Sequence, residues 1–433
     1  MFLCEREARP GMTHTGVTHM SPVQAGPAQV SGTGSVGYDT IAGDAATLSA
    51  QIARLRAQIF EPEMVKTLRP FTSAEAARLL GVTDSYLRHL ARAGEGPEPA
   101  RQSGNRHAYS LAQIHELRAH LARKGGAKAR VILPNRPPHE GAQVVAVANF
   151  KGGSGKTTTT VHLAQHLAMR GFRVLAVDLD PQASLSSLFG YQPEADVSSG
   201  ETLYGAIRYD EPRPVEEVIR TTYFPNLDLV PGNLELHEFE HETPRALMER
   251  GTRQAPFYSR VATALAAVSA RYDVILIDCP PQLGFLTLGA LCAASGVLVT
   301  VHPQMLDIAS MSQFLNMTAD LMDVVRRAGA NVELDFFRYV LTRYEPKDGP
   351  QAQVAGFLRS LFGERVLTNA MVKSTALADA GLSKQTLYEV GREGMTRSTY
   401  DRALESLDAV NGEIEALIRG VWDRRSVPAQ AAE

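Results

Sequence analysis

The sequence predicts an α/β protein, a doubly wound and mostly parallel sheet preceded by a small winged helix-turn-helix domain. Three observations predict it. Between residues 143 and 420, near-continuous apolar runs of strand length alternate with stretches of helical period, as a parallel sheet covered on both faces requires. One of those runs passes directly into a glycine-rich loop, KGGSGKTT at 151–158, and then into a helical pattern. Upstream, 70–123 carries two short helical patterns parted by Gly81, a hairpin-like stretch and a third helix.

The 433 residues suggest two or three domains at about 100–200 residues each. Apolar residues make up 44%, enough for a large core, and the net charge is −3. That balance excludes a chain that coats a polyanion through global charge, so any nucleic-acid contact must come from local patches. Cys4, Cys279 and Cys292 form no CxxC pair, and their odd number argues against a disulfide framework and for a reducing, cytoplasmic setting. The N-terminus has no apolar core of a secretory signal. The most apolar stretch, 286–301, is too short to span a bilayer and reads as a helix, a turn and a buried strand.

Along the chain, 1–43 is rich in Gly, Ser, Thr and Pro and is expected to be disordered. Within the N-terminal segment 44–69, Leu48, Ile52, Leu55 and Ile59 have the spacing of an amphipathic helix over 44–60. The winged unit occupies 70–123, a Gly- and Pro-rich linker 124–142, the main domain 143–420 and a short tail 421–433. Strands are predicted at 144–149, 173–178, 227–232, 273–278, 296–301 and 337–343, and helices at 157–170, 305–328 and 398–419.

Strand, glycine-rich loop and helix in succession turn a motif into a mechanism. Gly152, Gly153 and Gly155 let the backbone curl until the N–H groups of 151–158, Ser154 and Thr158 among them, face one concavity. Lys156 would reach the β- and γ-phosphates of ATP, and the Thr157 hydroxyl would ligate Mg²⁺. The loop departs from GxxxxGK[ST], because Phe150 stands where that pattern has glycine and a second lysine, Lys151, opens the loop. Two later strands end in acids. In VDLDPQ, Asp178 and Asp180 face the crevice outside the strand ends, Asp180 placed to hold an attacking water and Asp178 to support Mg²⁺. In VILIDCPP, four apolar residues lead into Asp278, a carboxylate suited to Mg²⁺ directly or through water.

The stretch 151–190, KGGSGKTTTTVHLAQHLAMRGFRVLAVDLDPQASLSSLFG, resembles the deviant Walker A ATPases of the ParA and MinD group, and the resemblance extends over about 144–420. It implies a P-loop NTPase fold, an ATPase, and a homodimer formed on ATP in which Lys151 reaches the partner's site. It places the water-positioning acid on Asp180 and puts Arg343, in LTRYEP, near the adenine. The stretch 383–418 looks like the RepA partition ATPases of RepABC plasmids. That implies plasmid partition, a ParB-type partner that stimulates hydrolysis, repression of the protein's own operon and a nucleoid-associated location. Non-specific DNA binding by the dimer falls on Lys373, Lys384, Arg392, Arg397 and Arg402. The acid-rich helix at 398–419 disfavours the membrane anchor of MinD-like proteins.

Residues 86–130 hold nine Lys and Arg against three acids, the local excess expected of a phosphate-backbone contact. The unit resembles the winged helix-turn-helix of MerR-like regulators and of large ParA proteins. Arg88, on the second helix, and Arg106, on the wing, are the candidates for a specific operator contact. Two alternatives stand beside the partition reading. One is a nucleotide-regulated DNA-binding repressor without a partition role; the other is a MinD-like positioning ATPase.

Overall fold

The computed structural model describes residues 37–59, 66–102, 106–125, 132–134, 136–249, 255–330, 332–391 and 396–426, with backbone alone at 38, 52–59, 101, 102, 106 and 426. Most of the segment expected to be disordered, 1–36, lies outside these residues, as does Arg392.

A helix runs from Tyr38 to Ile59 and belongs to a unit of its own, while the chain from Val65 onward forms the other. The helix begins six residues before the predicted start at 44. Asp39 lies in its first turn, where the helix dipole favours an acid, and Gly43 is tolerated inside it at a modest propensity cost.

The second unit opens with the winged module. Strand β1 (Phe71–Thr72) leads to helices Ser73–Leu80 and Asp84–Arg92, then β2 (Ala100–Gln102), β3 (Arg106–Tyr109) and helix Leu111–Arg123. The three strands pair antiparallel in the order β1-β3-β2. Gly81, at φ +67°, makes the turn, and Ala76, Ala77, Leu80, Leu87 and Leu90 are buried as the pattern predicts. The first helix is capped by Thr72. Thr72 accepts the Glu75 amide and Glu75 reaches back to the Thr72 amide, a reciprocal box that satisfies two end donors. Ser73 donates to the Asp84 carboxylate, tying the first helix to the second.

The main sheet has seven strands: β4 (Gln143–Ala148), β5 (Val174–Asp178), β6 (Arg220–Thr221), β7 (Leu227–Val230), β8 (Val274–Asp278), β9 (Gly296–Val301) and β10 (Phe336–Leu341). Their order is β10-β9-β4-β8-β5-β7-β6, with every pairing parallel except β6 on β7. All six predicted strands are present. The two-residue β6 has too little pattern to be read. From β4 the chain crosses beyond β8 to reach β5, and from β8 it crosses back beyond β4 to reach β9, so the strand order reverses between β4 and β8. That is where an open α/β sheet leaves a crevice for a ligand.

Helix Lys156–Met169 lies under this crevice with twelve of its fourteen residues buried. Such a burial leaves its last carbonyls needing partners away from water. The winged module supplies them. His115 Nε2 meets the Ala168 carbonyl at 2.9 Å, and Arg118 donates to the carbonyls of Met169, Leu79 and Ile132 at 3.0, 2.8 and 2.9 Å. Burial holds His115 down at about 4, so the ring is neutral at pH 7 and donates from Nε2. The C-terminal helix, Arg397–Ser426, overruns the predicted boundary at 420 because Val421 and Trp422 are buried, Trp422 stacking on Phe172 at 5.9 Å.

Arg118→Ala strands three carbonyls at a buried seam. It is expected to cost on the order of 2–4 kcal/mol, read as a lower urea midpoint in the fluorescence of Trp422, the single tryptophan.

Candidate functional site

The loop that follows β4 is held from three sides. Asn149 Nδ2 donates to the Thr300 carbonyl at 2.6 Å, and Asn149 Oδ1 accepts the Lys151 amide at 3.0 Å. Ser154 Oγ lies 3.0 Å from Thr300 Oγ1, and Thr342 Oγ1 donates to the Ser154 carbonyl at 2.7 Å. Gly153 and Gly155 are left-handed at φ +72° and +91°, and a Cβ on Gly155 would lie 3.3 Å from Thr342. Glycine is therefore required there both for the dihedral and for the approach of the neighbouring strand. Thr300 and Thr342, at the C-terminal ends of β9 and β10, are the scaffold that sequence reading missed. Their signal was a hydroxyl breaking an otherwise apolar run.

Lys156 opens the helix and is buried, its Nζ folded back over the loop to the Lys151 carbonyl at 3.3 Å. Burial lowers its pKa, and the charges of Asp278 and Asp180 oppose that shift. Asp178 and Asp278 sit side by side at the ends of β5 and β8, paired in register. Asp178 is held at both oxygens: Oδ2 accepts the Ser186 amide at 2.8 Å and hydroxyl at 2.7 Å, and Oδ1 accepts the Asp180 amide at 3.2 Å. Its oxygens orient the Asp180–Ser186 segment. Asp278 differs. Oδ1 accepts the Thr160 hydroxyl at 3.3 Å, while Oδ2 is buried without a hydrogen-bond partner.

Burial, with the Asp178 charge beside it, pushes Asp278 up to about 8, against the pull of Thr157 and Lys156. Burial pushes Asp178 up to about 7, against the hydrogen bonds of Ser186. An acid raised in the folded state holds protons that the unfolded chain has lost. Stability therefore falls as pH rises from about 4 towards 8.

A cleft of about 1050 Å³ lies over these groups. Gly152, Gly153, Gly155, Lys156, Thr157, Thr158, Asp180 and Arg343 line it together. Ser154 is buried beneath the loop. Arg343, at φ +53°, donates to the Gly153 carbonyl at 3.2 Å and stands at the mouth. Lys373, Lys384 and Arg402 also line this cleft, Lys373 paired with Glu345 at 2.9 Å. Arg397 is exposed outside it beside Asp401. Lys151 turns away from the cleft to an ion pair with Asp307, which also takes His302 Nδ1 at 3.3 Å. In the winged module Arg88 is more than half exposed and pairs with Asp84 at 2.8 Å, while Arg106 is placed on β3 by its backbone.

Residues 142–330 match the family model of the AAA domain, and residues 71–122 match that of the MerR HTH family regulatory proteins. Over 380 residues the chain is 55% identical to a Rhizobium rhizogenes protein named "Putative replication protein A", covering 87% of this chain and 93% of that one. It is 30% identical to SopA of Escherichia coli K12 over 84% of this chain and 92% of SopA. The chain belongs to the ParA family of partition ATPases, in its RepA type. The fold agrees: a solved structure described as "Partition Protein" superposes with a TM-score of 0.60 at 19% identity, over 87% of this chain and 98% of that one. This ParA-family chain thus joins a MerR-type helix-turn-helix to a P-loop domain. Among its described residues no helix is long and apolar enough to cross a membrane.

Asp278→Asn removes one buried acid. The variant's urea midpoint should fall less than the parent's between pH 5 and pH 8, with the gap between the two proteins widening as pH rises.

Proposed function

We propose that the chain is a slow ATPase switch for plasmid partition, binding ATP and Mg²⁺ in the cleft over its phosphate loop. One observation carries this reading: Lys156 and Asp180 line one cleft where the sheet order reverses, and the buried Asp278, whose Oδ2 has no hydrogen-bond partner, ends the strand β8 at that reversal. The orphaned Asp278 Oδ2 and the Thr157 hydroxyl fit a magnesium ion. Among the described residues no cluster of three or more acids, histidines or cysteines could hold a metal. The ion therefore suits a site in which phosphate oxygens and water complete the shell. When bound, it neutralises charge on the β- and γ-phosphates.

The chain's own residues do the rest. The amides of 152–158 and the N-terminal end of helix Lys156–Met169 cradle the phosphates. Lys156 places a cation on the β/γ oxygens. Asp180, held through its amide by Asp178, orients the water in line with the γ-phosphate, and positioning with charge neutralisation suffices for this chemistry. Arg343 flanks the base. Burial pushes Asp278 towards its neutral form, so binding of the metal and nucleotide would favour loss of a proton from it.

ATP would favour a homodimer. Lys151 lies on the same face as Met305 and Leu306, which are 70% and 79% exposed beside Asp307. An apolar pair left bare there suits a partner copy, into whose site Lys151 would then reach. Lys373, Lys384 and Arg402 at the cleft rim, with Arg392 and Arg397, would present charge to DNA without reading its sequence. The winged module, through Arg88 and Arg106, would read an operator upstream of the chain's own gene. A ParB-type partner would stimulate hydrolysis and release the nucleoid-bound dimer. The repressor reading has its own support in the exposed Arg88 helix, and both activities can reside in one chain.

Lys156→Ala should weaken binding of a fluorescent ATP analogue by about 100-fold or more, since a charge-assisted phosphate contact at a buried site is worth about 3 kcal/mol. Unaltered binding would remove the site assignment. Asp180→Ala should bind ATP as the parent does yet lose turnover in a phosphate-release assay. Calorimetry of Mg²⁺–ATP binding in buffers of different ionisation enthalpy should register proton release near pH 7, and Asp278→Asn should abolish it.

A further inference from the structure

A buried charged cluster lies outside the nucleotide cleft and has no part in the chemistry above. Its centre is Lys66, four residues before the winged module. Its side chain is 12% exposed and ion-paired at 2.7 Å with Glu389, itself 2% exposed. The ammonium also reaches the Leu188 carbonyl at 2.7 Å, the Lys384 carbonyl at 2.7 Å and the Tyr223 hydroxyl at 3.1 Å. Burying such a charge is costly unless every proton is used. Here four acceptors converge on three protons. Burial lowers the lysine's pKa and Glu389 opposes that shift.

What these partners belong to gives the cluster its meaning. Leu188 ends the short helix Ser184–Leu188, whose Ser186 grips Asp178 and whose leading segment carries Asp180. Glu389 Oε1 accepts Gln165 of the phosphate-loop helix at 2.7 Å, and Lys384 lines the nucleotide cleft. On the other side, Arg69 follows Lys66 by three residues. It forms a two-pronged pair with Glu75 in the first helix of the winged module, at 2.7 and 3.2 Å, and packs against Gly391. Glu75 is also the acid of that helix's capping box.

The phosphate-loop helix is almost wholly buried and clamped at both ends, so it transmits little displacement. The segment from Asp180 to Leu188 is the element that a γ-phosphate would reorder, as phosphate-sensing loops do. Its last carbonyl is in the grip of Lys66.

We propose that Lys66 is a positioning residue that couples the nucleotide-facing segment Asp180–Leu188 to the winged helix-turn-helix module, so that the module's mobility depends on which nucleotide is bound. The proposal rests on the reading of the cleft as a nucleotide site. A γ-phosphate draws the Asp180 segment inward, the Leu188 carbonyl shifts with it, and Lys66 passes the shift through residues 66–69 to Glu75. A discrete element biased from both ends is the physical requirement for coupling.

The experiment is amide hydrogen exchange of peptides covering 73–92, in the full chain, with Mg²⁺–ADP and with Mg²⁺–ATPγS. In the parent, exchange should differ between the two nucleotides. In Lys66→Met, nucleotide affinity should stay near the parent's, checked with a fluorescent analogue, while the exchange difference shrinks severalfold. A purely structural lysine would raise exchange in both states and leave the difference intact, and that result overturns the proposal. Because Lys66→Met leaves Glu389 buried without its partner, the double variant Lys66→Met/Glu389→Gln is run beside it. It keeps an amide group facing Gln165, and it must show the same collapse. A parent that binds nucleotide without any exchange difference also overturns the coupling and leaves the nucleotide site standing. A parent that binds no nucleotide removes both.

Discussion

Everything in this structure depends on how one buried helix satisfies its two ends. Helix Lys156–Met169 has twelve of its fourteen residues buried, so its terminal N–H and C=O groups have few waters to turn to. At the C-terminal end, His115 and Arg118 of the winged module supply donors, and Arg118 also sets a cation where the dipole is negative. At the N-terminal end the phosphate loop and the first helical turn line an open cleft. The same dipole that anchors the winged module thus favours an anion at the far end, about 21 Å away at 1.5 Å per residue.

The carboxylates extend this argument. A sheet that brings Asp178 and Asp278 into register at the ends of β5 and β8 creates repulsion in a dry setting, and both acids are pushed towards neutrality. The two escape differently. Asp178 is given Ser186 and the Asp180 amide as partners, while Asp278 keeps one oxygen bare. That asymmetry sets them apart: one arranges a loop, and the other keeps a buried oxygen without a hydrogen-bond partner.

Much of this was legible in the sequence. Six strands, the loop, the helix-turn-helix and its apolar core follow from period and from glycine placement, because those patterns are local. The loop residues other than Lys151 come together with Asp180 and Arg343 around one cleft, as the motif order implies. What stayed hidden depends on long-range contact. Nothing near Asp178 announces that Ser186 will bond one of its oxygens, nor does the composition around Lys151 announce Asp307, 156 positions away. The Gly- and Pro-rich stretch 124–142 reads as a linker, yet His115 and Arg118 bind the winged module to the main domain through main-chain carbonyls, which leave no trace in residue type. The C-terminal helix was cut short for the same reason, since Trp422 earns its place by stacking on Phe172.

The rims of the main sheet have a consequence of their own. On one side β10 is shielded by the segment 366–371, which donates from Leu367 and Met371 to the Tyr339 and Leu341 carbonyls. On the other, the sheet stops at β6, two residues long and reversed in direction. Neither border offers a long ladder for a neighbour to continue, the usual route by which crowded α/β proteins zip together irreversibly. Copies gathered at high local density must meet through side-chain contacts, which can be undone.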